Sequence, residues 1–77
     1  MSYIKSEKEL NLHGVRHDDV DRLVENFIFV NVLPLEIITG HSERMREFAV
    51  KVLEKYNYEY EYNWNMSSII VLSANDV

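Results

Sequence analysis

Between Leu10 and Gly14 two leucines alternate with a polar residue, and the alternation stops at His13-Gly14, directly ahead of a segment with helical spacing. An alternating pair followed by a glycine predicts a short strand that ends in a sharp turn and delivers a histidine to the end of a sheet. The arrangement recurs, because Leu35-Glu36-Ile37-Ile38-Thr39 runs into Gly40-His41-Ser42 and a second helical segment. Two strand-glycine-helix units in one short chain point to an α/β fold, in which ligands sit at strand ends beside helix N-termini.

The first strand is expected over Glu9 to Leu12, behind a polar arm spanning residues 1–9 that has no period of its own. Asp18 is the expected N-cap of the first helix, with Asp19 and Asp21 adding negative charge at the positive end of its dipole. Val20, Leu23, Val24, Phe27 and Val30 or Asn31 form its apolar stripe, and Pro34 requires it to end earlier. Phe29, Val32 and Leu33 are surplus to that stripe. The second strand covers Leu35 to Thr39, and Ser42 is the expected cap of the second helix, whose apolar face is Met45, Phe48, Ala49, Val52, Leu53 and Tyr56.

From Asn57 the period changes to two, with Tyr58, Tyr60 and Tyr62 facing one way and Glu59 and Glu61 the other. Such a strand belongs at a sheet edge, where its charges discourage further pairing. Ser68 to Leu72 is apolar on both faces and suits a central strand. The expectation is therefore a two-layer α/β sandwich of order βαβαββ, with a four-stranded mixed sheet and two helices on one face. The first two strands are expected to be parallel through a right-handed crossover, and the last two antiparallel neighbours.

With 77 residues, 47% of them hydrophobic, the chain supports one domain, expected over residues 10–77. It has no cysteine, which removes disulfides and thiolate metal sites. No apolar run is long enough to span a bilayer, and residues 1–9 lack the apolar stretch of a signal peptide, so a cytoplasmic protein without membrane contact is expected. The net charge of -5 opposes diffuse attraction to a polyanion. A polyanion must be met locally, and His13, Arg16, His17, His41 and Arg44 all fall in or near the two glycine turns.

Three stretches resemble the Smr (small MutS-related) domain. Leu10-Asn11-Leu12-His13-Gly14 is similar to the family's opening Leu-Asp-Leu-His-Gly, and Ile38-Thr39-Gly40-His41-Ser42 to its second signature, His/Thr-Gly-x-Gly. Ser67-Ser68-Ile69-Ile70-Val71 resembles its closing strand. The resemblance runs over about Leu10 to Ser73. It implies a sandwich similar to the C-terminal domain of a bacterial translation initiation factor, binding of DNA or RNA, a setting in DNA repair or recombination, and nicking endonuclease activity in some members. Carried onto this chain, it implies His13 and His41 as proton-transfer groups, with Gly14, Arg16, His17, Thr39, Gly40, Ser42 and Arg44 contacting nucleic acid. A divalent metal is implied only for a catalytic member. The sequence departs from the pattern at Asn11, which cannot ionise, at Ser42 in place of the last glycine, and at Asn63 to Met66 in place of a glycine-rich turn.

Each feature also has a purely structural reading. Thr39-Gly40-His41-Ser42 is either an anion site at a helix N-terminus or a capped connection. His13 is either a phosphate or proton-transfer group or a stitch that fixes the turn. The histidines lack metal-ligand spacing, and helix capping accounts for Asp18, Asp19 and Asp21 without a magnesium site. The tyrosines with Trp64 are either a base-stacking platform or packing under a helix. A second functional class also stays open: a protein-interaction or homodimerisation module that keeps the fold and uses Phe29, Val32, Leu33 and Trp64 as an apolar patch.

Overall fold

The computed structural model describes residues 8–74. Its elements are β1 (Glu9–Asn11), α1 (His17–Val30), β2 (Leu35–Ile38), α2 (Glu43–Lys55), β3 (Tyr58–Tyr62) and β4 (Ser68–Ala74). The βαβαββ order is the expected one. Four strands form a mixed sheet in the order β1-β2-β4-β3, with β1 parallel to β2 and β4 antiparallel to both β2 and β3. The strand most apolar on both faces thus lies inside the sheet, and the glutamate-bearing β3 lies at its edge.

Register sorts the residues onto two faces. Leu35 lies opposite Val71 and Ile37 opposite Ile69, all four buried, and Val71 and Ile69 in turn face Tyr60 and Tyr62. This is the helix side of the sheet. Val20, Val24, Phe27 and Ile28 of α1 and Met45, Ala49, Val52 and Leu53 of α2 close one continuous core over it, together with Leu12. On the other side Glu9 lies opposite Glu36 and Glu36 opposite Ile70, while Ile70 is flanked by Glu61. Hydrogen bonds from Ser68 Oγ to Glu36 Oε2 (2.6 Å) and from Ser73 Oγ to Glu59 Oε1 (2.8 Å) run across this face. The face away from the helices is therefore acidic.

Several boundaries differ from those expected. Helix α1 starts one residue before Asp18, with Arg16 as its N-cap in an extended conformation and the Asp19 amide donating to the Arg16 carbonyl at 2.9 Å. Asp18 and Asp19 fill the first turn, where they still meet the helix dipole. In the apolar stripe Ile28 replaces Val30, which is 67% exposed, because Val20, Val24 and Ile28 repeat at four-residue steps and position 30 falls off that line. Strand β1 stops at Asn11 and β2 at Ile38, since the chain turns at Leu12 and Thr39, and β4 continues past Leu72 to Ala74. Leu33 packs partly buried against the core instead of joining an outer patch.

Residues 1–7 of the expected arm lie outside the described residues. Its last two residues are tied to the sheet, with the Glu36 amide donating to the Lys8 carbonyl at 2.8 Å and Glu9 paired opposite Glu36. Among the described residues no helix is long and apolar enough to cross a membrane.

Candidate functional site

Parallel pairing of β1 and β2 puts both glycine turns at the same end of the sheet. The pairing extends beyond the strands, because the Leu12 amide donates to the Ile38 carbonyl at 2.9 Å. Leu12 is fully buried and anchors the first turn. That turn is closed twice: the Val15 amide reaches the Leu12 carbonyl at 3.0 Å, and the His13 amide donates to Asn11 Oδ1 at 2.9 Å. The second bond is an Asx turn, which needs only an acceptor oxygen two residues back. Asn11 supplies it without a charge.

The second turn is held from β4. The Thr39 and Gly40 amides both donate to the Ser67 carbonyl, at 3.0 and 2.9 Å. The Thr39 hydroxyl donates to the Gly40 carbonyl at 3.1 Å and lies 3.4 Å from that of Ser67. Thr39 is buried, and its hydroxyl fixes the turn from inside. Gly14 (φ +81°) and Gly40 (φ +67°) both adopt the left-handed region, and a Cβ at either would meet open space. Backbone conformation, not crowding, calls for glycine at both positions.

Ser42 caps α2 as expected, its Oγ accepting from the Met45 amide at 3.1 Å, while the Arg46 amide bonds the Ser42 carbonyl at 3.1 Å. The Glu43 and Arg44 amides precede the first intrahelical bond and open the helix N-terminus toward the turns. The His17 ring packs at 5.1 Å from Phe48, joining the start of α1 to α2. His13, Gly14, Arg16, His17, His41, Ser42 and Arg44 are exposed, and Gly40 is half-buried. The ion pairs among the described residues are Arg22–Asp19 and Lys55–Glu25, which leaves Arg16 and Arg44 unmatched.

One end of the sheet therefore carries two free guanidiniums, three imidazoles and a helix N-terminus, opposed by Asp18, Asp19 and Glu43. Among the described residues no three His, Cys, Asp or Glu side chains are placed to hold a metal ion. The open sheet face does not offer the stacking platform, because Tyr58 and Tyr60 pack against the core on the helix side. Of the four aromatic residues Tyr58, Tyr60, Tyr62 and Trp64, Trp64, 92% exposed, and Tyr62 present substantial ring surface.

Two supporting residues have no local signature. Arg46 Nη1 donates to the Met66 carbonyl at 2.9 Å, tying the start of α2 to the β3–β4 turn. In that turn Asn63 Oδ1 accepts from the Ser67 and Ser68 amides at 2.9 and 3.2 Å, and Met66 takes φ +60°. The turn thus still uses the left-handed conformation that glycine adopts without strain. Compared with protein-family models, curated proteins and solved structures, the chain gives no match.

Proposed function

We propose that this chain is a nucleic-acid-binding domain, similar to the Smr domain, that contacts a phosphate backbone through the turns after β1 and β2. The observation that carries this reading is the adjacency of the two turns, fixed by the 2.9 Å bond from the Leu12 amide to the Ile38 carbonyl. Arg16 and Arg44 supply unmatched positive charge, and the free amides at the start of α2 supply donors for an anion. His13, His17 and His41 add donors when protonated. Exposed turns without a side chain at Gly14 and Gly40 let a polymer backbone approach the protein backbone. In this reading His13 and His41 are the groups able to move a proton if the bound phosphodiester is cleaved.

Fluorescence anisotropy with labelled single-stranded, duplex and branched DNA and RNA tests it. Saturable binding with a shallow salt dependence is expected, because few phosphates are contacted. The double variant His13→Ala, Arg44→Ala should bind at least about tenfold more weakly, as loss of two phosphate contacts implies. Unchanged affinity in that variant sinks the site. Incubating the bound form with and without magnesium or manganese reads cleavage separately.

A second reading is a protein-interaction or dimerisation module. It is supported by Phe29 at 56% and Val32 at 74% exposure, which lie close in sequence at the end of α1 and just beyond it. A strictly monomeric protein at high concentration in sedimentation counts against dimerisation.

A further inference from the structure

Among the described residues β3 pairs with β4 alone, so its outer side presents unpaired backbone donors and acceptors. Both flanks of that edge are acidic. On the open face stand Glu59 and Glu61, the former accepting from Ser73. On the helix side a groove of about 430 Å³ separates α2 from the end of β3. Glu43, Glu47, Val50 and Glu54 line it at steps of four, three and four residues, one stripe of α2, and Tyr62 and Met66 form its other wall. Arg46 and Lys51 also line the groove, and Arg46 is engaged with the Met66 carbonyl. Counting both flanks, five carboxylates face two cations. None of the five makes an ion pair among the described residues.

This charge pattern discriminates among the strands able to add to the edge. Antiparallel pairing with a second copy centred on Tyr60 places Glu59 of each chain directly opposite Glu61 of the other, and like charges so placed repel. A strand with lysine or arginine at alternate positions meets Glu59 and Glu61 with opposite charge. Its intervening side chains point to the helix side, over Tyr62, Met66 and the glutamates of α2.

We propose that the β3 edge, together with the groove beside α2, docks an extended lysine- or arginine-rich segment of another protein as a fifth strand. Backbone hydrogen bonds give the segment its register, Glu59 and Glu61 select the charge of its alternate residues, and the groove beside α2 receives the side chains between them. This surface meets the site assigned to nucleic acid only at Glu43, whose side chain lines the groove and whose amide opens α2.

The test uses the full chain and a short peptide of alternating lysine and valine, with a glutamate-valine peptide as control. The lysine peptide is expected to bind saturably, the control not at all, and amide exchange within Tyr58–Tyr62 is expected to slow on binding. The variant Glu59→Lys, Glu61→Lys changes two exposed side chains and should weaken binding by about tenfold or more. Absence of binding, or binding that leaves exchange in β3 unchanged, overturns the proposal. So does slowed β3 exchange that follows protein concentration without peptide, which assigns the edge to a second copy. The exchange readout on the unmodified chain stands whether or not the variant folds.

Discussion

Tyr60 shows how one side chain records its surroundings. Its hydroxyl donates to Glu54 Oε2 at 3.0 Å, and its ring sits edge-on to Tyr62 at 6.0 Å. Burial first, then the hydrogen bond and charge of Glu54, and last the charge of Tyr62, push the phenol from 10.0 up to about 12. The folded chain therefore keeps a proton that the unfolded chain releases, and the sign follows from linkage. The contribution of this group is complete below about pH 10 and is lost as pH rises from about 10 to 12. Urea midpoints measured across that interval should fall, and Tyr60→Phe should flatten the fall. An equally steep decline in the variant contradicts the assignment. Tyr56 is raised too, chiefly by its 2.6 Å hydrogen bond to Glu25 on α1, and it joins the C-terminal end of α2 to α1.

At the scale of elements, what the sequence makes legible is what depends on local chemistry. Ser42 is a readable cap because its oxygen needs only a donor three residues on, and the Met45 amide provides it. Ser42→Ala should lower stability by about 1 kcal/mol. A denaturant titration checks this, and no change means the cap contributes nothing. The period-two run of β3 and the period of α2 are readable for the same reason. Asn11 could be read as a missing carboxylate, but not as the acceptor for the His13 amide, because both oxygens look alike to a backbone donor. The tie from Arg46 to Met66 and the double use of the Ser67 carbonyl join residues 20 and more positions apart, and no local pattern announces them. Strand order is legible in part: the two-sided apolar pattern marks β4 as central and the glutamates mark β3 as an edge, while only packing sets β2 beside β4.

For the whole molecule, one core carries the fold and the sheet end inherits its rigidity from it. Leu53 is fully buried among residues of both helices and the sheet. Leu53→Ala should cost about 2–5 kcal/mol, a large share of the 5–15 kcal/mol typical of such domains, and thermal unfolding reads the loss. A loss under about 1 kcal/mol means the core is not continuous there. Charge is divided across the molecule as well. The sheet face away from the helices and the β3 edge are acidic, and the free guanidiniums Arg16 and Arg44 gather at the turns. An acidic chain can meet a polyanion only if it presents that one end, which is the central claim about its function. Following backbone amide resonances during titration with a single-stranded oligonucleotide, and separately with a duplex, tests it most directly. Shifts concentrated in residues 12–17 and 39–44 are predicted with at least one of the two. Shifts centred on the sheet face around Glu36 and Ile70, or none with either at low salt, contradict the account.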